Sequence, residues 1–268
     1  MHPRVSVNSL CSASWTLGQD LAFYEAHGID HVALAYAKCE AAGVGKALDA
    51  VEHSPVHVDM LFGVMGFELD APSTWDEPRA RFVDLVDTAA TLPAASVMVT
   101  TGRAGGLTWE DAADAFEAAI APGLDHAAAR DVPVMVEHTN SLRVDIGFVH
   151  TLRDMIDLGR RLGVGVLMEV NACWMERGLA ATVRRGIDSL ALVQVSDFSI
   201  GTTDSPNRRV PGDGDIPLER ILGTVLDAGY TGRFDLEVLG PYVEEEGYES
   251  TILRSVERLS ELLDRLSA

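Results

Sequence analysis

Eight short apolar runs, each followed by a longer stretch of helical periodicity, constrain this chain more than any other feature. They are RVSVNSL (4–10), HVALAY (31–36), VHVDMLFG (56–63), SVMVTT (96–101), PVMVEH (133–138), VGVLMEV (164–170), LALVQVS (190–196) and FDLEVLG (234–240). Such near-continuous apolar runs suit parallel strands covered on both faces and joined by crossover helices. The helices between them carry their own signals. In TWEDAADAFEAAIAPGLDHAAAR, Thr108 is a candidate N-cap, with Glu110 and Asp111 at the positive end of the helix dipole. In IPLERILGTVLDAGY, Leu218, Ile221, Leu222 and Leu226 share one face and Gly229 suits the C-terminal cap. STILRSVERLSELLDRL closes the series. Eight βα units without a linker predict one α/β domain over residues 1–268, a (β/α)8 barrel. A doubly wound open sheet is the alternative, but no GxGxxG follows the first strand.

Charge and cysteine usage narrow the partners. The chain has 41 acidic against 21 basic residues, a formal net charge of −20. Such a surface repels phosphate backbones and anionic lipid, which argues against nucleic acid and membrane partners. Cys11, Cys39 and Cys173 form no CxxC and no paired spacing, so neither a disulfide framework nor a thiolate zinc site is expected. The N-terminal MHPRVSVNSL lacks the apolar core of a signal peptide, and no run of about 18 apolar residues occurs. The expectation is a soluble cytoplasmic protein acting on a small molecule, with homo-oligomerisation open.

In a barrel of this type, function sits at the carboxyl ends of the strands. Four successive runs end there in a polar side chain: Glu137, Glu169, Gln194 and Glu237. Strand alternation turns Val134 and Val136 to the helices and Met135 and Glu137 inward, and the same parity brings all four polar groups to one rim. Three carboxylates and an amide oxygen repel one another unless a cation sits between them. Oxygen donors of this kind suit Mn²⁺, Mg²⁺ or Co²⁺.

At these residues the sequence resembles the sugar phosphate isomerase/epimerase family, the xylose-isomerase-like TIM barrels, most clearly from about residue 95 to 242. VMVEHTN matches the strand-5 metal-binding Glu at Glu137. Glu169 takes a position where the family has Asp, and Ala172 one where it commonly has His. VQVSD places Gln194 where the hydroxypyruvate isomerase branch uses Gln, and FDLEVLGP puts the strand-8 Glu at Glu237. The motif R-x-x-P-G-x-G-[DE]-[IV] is met by Arg208, Pro211, Gly212, Gly214, Asp215 and Ile216. D-tagatose 3-epimerases are similar in motif. The resemblance implies a metal-dependent isomerase or epimerase in which Glu137 and Glu237 move a proton beside a carbonyl, through an enediolate. It also implies metal ligation by Glu137, Glu169, Gln194 and Glu237. Glu169 for Asp, Ala172 for His, and the neighbouring Cys173 and Trp174 point to a substrate less sugar-like and more apolar.

Further substrate-binding candidates are Arg208, Lys38, His138, Trp174 and Asn8. The planar fork of Arg208 suits a carboxylate, phosphate or hydroxyl. The alternative for one of Arg208 and Arg209 is a loop-ordering ion pair with Asp213 or Asp215. Lys38, one of only two lysines, lies just beyond strand 2. His138 follows Glu137, so parity turns it away from the metal, toward a supporting role. NRRVPGDGDIPL reads as a lid-like rim carrying Arg208, with Gly212 and Gly214 permitting tight turns. The same site chemistry supports a lyase or dehydratase, and a noncatalytic binding module is the reading from another class. Phosphodiester cleavage at a histidine-rich three-metal site is rejected, since the chain lacks those histidines.

Overall fold

A computed structural model describes residues 1–92 and 96–268. Eight strands close into one parallel barrel in sequence order. They are β1 (Val5–Asn8), β2 (His31–Ala35), β3 (His57–Gly63), β4 (Ser96–Thr100), β5 (Val134–Glu137), β6 (Gly165–Glu169), β7 (Leu190–Val195) and β8 (Phe234–Leu236). Each lies inside the run that predicts it. The (β/α)8 barrel read from the pattern is the fold observed.

All the runs but the third overshoot their strands at the carboxyl end, where the chain turns into the loops that build the mouth. After β1, Asn8 accepts from the Leu10 amide at 2.9 Å and caps a 3-10 turn over Ser9–Ser12. After β8, Glu237 continues the ladder for one bond, its amide donating to the Val195 carbonyl at 3.2 Å. The expected N-cap holds: the Thr108 hydroxyl accepts from the Asp111 amide at 3.1 Å, opening a helix over Trp109–Ala129. In the helix Leu218–Asp227, Leu218, Ile221, Leu222 and Val225 are the buried residues, while Leu226 is half-buried. Gly229 follows with φ +97°, a left-handed value that favours glycine.

Two apolar layers result. The larger joins the outward faces of the strands to the helices. The smaller fills the barrel itself with Ala33, Ala35, Met60, Phe62, Met98, Met135, Leu167 and Leu192. These come from β2 to β7. The remaining arc of the interior is polar, with Ser6, Asn8, Gln194 and Asp235 fully buried on β1, β7 and β8. The barrel is therefore split along its axis into an apolar and a hydrogen-bonding half, and the mouth inherits that division. Cys11, Cys39 and Cys173 are all buried free thiols. Among the described residues no helix is long and apolar enough to cross a membrane.

Candidate active site at the barrel mouth

An enclosed cavity of about 210 Å³ opens at the carboxyl ends of the strands. Glu137, Glu169, Asn171, Arg208 and Glu237 line one side, and Leu10, Phe62 and Met98 line the other. Its volume lies below the roughly 300–1,000 Å³ typical of drug-sized ligand sites, so a small substrate fits it best. A larger groove of about 870 Å³ runs along the outer face between the helices Leu218–Asp227 and Tyr248–Arg265 and includes none of the four strand-end groups.

Glu137, Glu169 and Glu237 are each less than a tenth exposed, and Gln194 is fully buried. Glu169 Oε1 accepts from the Asn171 amide at 2.9 Å. Its Oε2 lies 2.6 Å from Arg208 Nη1, which also contacts Glu237 Oε2 and donates to the Glu237 carbonyl at 3.1 Å. One guanidinium nitrogen thus bridges two of the carboxylates.

The charges of this cluster leave a clear imprint on its acidities. Burial, and then the charges of Glu237 and Glu169, hold the Glu137 carboxyl well above its ordinary value. Burial lifts Glu169 to about 7 against the opposing pull of Arg208. Burial alone would lower the Arg208 value, but Glu169, Glu237 and Glu137 together hold it above normal.

Gln194 stands between Glu169 and Asp235 in the strand register. Its Nε2 donates to Asp235 Oδ2 at 3.1 Å, and its Oε1, although buried, has no partner. Asn8 Nδ2 donates to the same Asp235 oxygen at 3.0 Å. Asp235 escapes the strand-end reading, although its parity with Glu237 already turns it inward.

The other candidates lie around the cavity rather than on it. His138 is fully buried, and its Nε2 accepts from the Glu169 amide at 3.1 Å, which places the ring proton on Nδ1. Burial, with a smaller contribution from His150, lowers its pKa to about 3, so the imidazole is neutral. It supports β6, in line with its parity. Lys38 is turned away: its ammonium is 2.6 Å from Asp20 and donates to the Ser12 carbonyl at 2.9 Å. Trp174 packs half-buried against the outer core, so the apolar wall comes from Phe62, Met98 and Leu10 instead. Asn8 lies below the cavity as a partner of Asp235.

The loop that delivers Arg208 is pinned rather than lid-like. Asp197, fully buried, accepts from the amides of Phe198 and Gly212 at 2.8 Å and of Ile216 at 3.0 Å. Its backbone also exchanges two hydrogen bonds with Arg209. Gly212 has φ +89°, whereas Gly214 is required by contact, since a Cβ there would lie 2.4 Å from Asp197 Oδ1. Neither arginine pairs with Asp213 or Asp215. Arg209 lies over the Tyr242 ring at 3.9 Å, and Asp213 pairs with Arg254.

The donor set suits a divalent cation. It is all oxygen, it includes the orphaned Gln194 Oε1, and with Asp235 it sets four buried carboxylates against one guanidinium. In the conformation seen, Arg208 takes up the carboxylates of Glu169 and Glu237. Among the described residues no three His, Cys, Asp or Glu side chains converge as a metal-holding group.

Known proteins share this architecture. A protein from Sinorhizobium meliloti 1021 is 24% identical, with 97% of this chain and 98% of that one covered at a TM-score of 0.86. The IOLI protein, solved with a bound zinc atom, is 15% identical over 98% and 99% of the two chains, with a TM-score of 0.83. D-psicose 3-epimerase from Clostridium cellulolyticum H10, solved with D-tagatose, is 14% identical over 98% of each chain, with a TM-score of 0.72. Among curated proteins no sequence matches. The family model of the xylose isomerase-like TIM barrel matches residues 21–264. From β2 through the last helix, strand-end groups included, the chain belongs to the xylose isomerase-like TIM-barrel family.

Proposed function

We propose that the barrel mouth is the active site of an isomerase or epimerase that shifts a proton beside the carbonyl of a small hydroxy-carbonyl compound. The observation that carries this reading is the enclosed cavity on which Glu137, Glu169, Glu237 and Arg208 meet, facing an apolar wall. Solved relatives described as epimerases of D-psicose and of 3-keto-D-glucoside share the fold and support it. A divalent ion, Mn²⁺, Mg²⁺ or Co²⁺, would be held by Glu137, Glu169, Gln194 and Glu237. When bound it supplies polarisation of the carbonyl and stabilisation of the developing negative charge.

The protein's own groups carry the rest. Glu137 and Glu237, both on the cavity, are the pair that takes the proton from carbon and returns it, with Glu237, on the last strand, as the acceptor. Arg208 offers a planar fork to the oxygens of the substrate. Phe62, Met98 and Leu10 exclude water from the opposite side and favour a carbon skeleton with one apolar face. A second reading, elimination of water, uses the same pair, since the carboxyl that has taken the carbon-bound proton can hand it to a departing hydroxyl.

Incubation of Mn²⁺-loaded protein with a panel of hydroxy-ketones and keto acids in D₂O tests the proposal. Isomerisation gives a product of unchanged formula carrying solvent deuterium, elimination gives one lighter by water, and absence of both across the panel counts against the enzyme. Metal binding has its own expected pH dependence. Protons held on Glu169 and Glu137 must leave when a cation is ligated, so affinity falls with acidification. With Glu169 at about 7, Mn²⁺ should bind about tenfold more weakly at about pH 6 than at about pH 8 for this group alone, and further with Glu137. Calorimetry in buffers of differing ionisation enthalpy should read the released protons. An affinity independent of pH across that range would remove these carboxylates as ligands.

A further inference from the structure

We infer that Asp235 is a positioning residue that fixes which end of the Gln194 amide faces the site. The inference rests on the metal-binding reading above and deepens it. Asp235 Oδ2 already accepts from the Asn8 NH₂ at 3.0 Å, so that oxygen is an acceptor and the amide group directed at it from Gln194 is the NH₂, seen at 3.1 Å. The carbonyl oxygen is thereby left as the free end, and Gln194 Oε1 is the atom found buried without a partner.

Asn8 gives independent support. Its Oδ1 is committed to the Leu10 amide at 2.9 Å, so its own NH₂ must be the group 3.0 Å from the same Asp235 oxygen. Two amides from β1 and β7 thus present donors to one acceptor on β8. A turned Gln194 would set its carbonyl oxygen against Asp235 Oδ2, acceptor against acceptor, and leave its NH₂ as the free end, which could not ligate a cation. Gln194 and Asp235 are both fully buried and neither lines the cavity, and the group that Asp235 contacts from this set is Gln194, so it acts through that amide and not on the substrate. The fully buried polar arc of the barrel interior accordingly has a use: it converts a side chain with two different ends into one with a defined acceptor.

The test is Mn²⁺ binding by chelator-stripped full-length protein, followed by calorimetry and by the electron paramagnetic resonance of the free ion. Asp235→Leu removes the acceptor and should weaken Mn²⁺ binding about 10- to 100-fold, as loss of a partner that orients a metal ligand does. Asp235→Asn keeps an oxygen able to accept from both amides and should stay within about threefold of the parent, well short of that loss. Circular dichroism checks the fold, with Asp235→Ala as the second acceptor-free variant should Asp235→Leu not fold. In a Gln194→Ala background, removal of the acceptor should have no further effect. Three results would each overturn the inference while leaving the metal site standing. These are parent-like binding by the acceptor-free variants, equal weakening by Asp235→Asn, which would mark a purely charge effect, and an undiminished loss in the Gln194→Ala background. Failure of the parent itself to bind Mn²⁺ would overturn the metal-binding reading and this inference with it.

Discussion

Glu237→Gln is expected to lower the rate of proton transfer by about 10³-fold, the middle of the range for removing a positioned acid or base. The substitution keeps shape and one oxygen donor but removes the lone pair that takes the proton. The surroundings should tolerate it. Arg208 keeps its 2.6 Å contact with Glu169 and its bond to the carbonyl of residue 237, so no buried guanidinium is stranded. Mn²⁺ binding should weaken far less than turnover, because the amide of the introduced Gln keeps an oxygen able to ligate a cation. The measurement is solvent deuterium uptake by whichever panel compound the parent turns over, alongside Mn²⁺ titration of the same variant. Deuterium uptake at the parental rate would remove Glu237 from the proton relay. Loss of turnover in step with loss of metal would reduce it to a ligand.

The contrast between Glu237 and Asp235 shows where sequence reasoning reaches and where it stops. The eight strands are legible because they are buried on both faces, and that burial leaves runs of Val, Leu and Met with few interruptions. Within such runs a terminal polar residue is conspicuous, and strand parity alone turns Glu137, Glu169, Gln194 and Glu237 toward one axis. Asp235 obeys the same parity, but two inward acids in succession on one strand make sense only once Asn8 and Gln194 are known to lie beside it. Their separations of 227 and 41 residues leave no local pattern. Lys38 shows the opposite case. Its place just beyond β2 suits a substrate contact, yet Asp20, from the preceding helix, holds its ammonium. Trp174 likewise has the right place in the chain but packs into the outer layer. Parity and periodicity report the face a residue occupies, and the partner it finds there is set by tertiary contacts that neither encodes.

Asp197 is the strongest case of such a partner, and its removal should have the largest effect on stability. NRRVPGDGDIPL reads as a lid-like rim, and the sequence offers no sign that its backbone closes onto a carboxylate 15 and 19 residues earlier. Asp197 Oδ1 takes the amides of Phe198 and Ile216, and Oδ2 takes that of Gly212. Asp197→Ala leaves three N–H groups without an acceptor beside a fully buried site. At about 1–3 kcal/mol for each unsatisfied donor, offset in part by water entering the space, the loss should be about 3–5 kcal/mol. For a chain of this size that lowers Tm by about 10 °C. Asp197→Asn separates charge from geometry. One oxygen can still serve Phe198 and Ile216, while the new NH₂ faces the Gly212 amide, donor to donor, so about a third of the loss is expected. The functional consequence runs through Arg208, which sits between Asp197 and Gly212 on the pinned loop and whose amide donates to the Leu239 carbonyl at 2.9 Å. Freed at the Gly212 end, the loop no longer holds the guanidinium between Glu169 and Glu237. Amide hydrogen exchange at Gly212 and Ile216 should therefore accelerate in both variants, more in Asp197→Ala. A Tm within about 2 °C of the parent would show that the three bonds contribute little, since even one lost donor should exceed it.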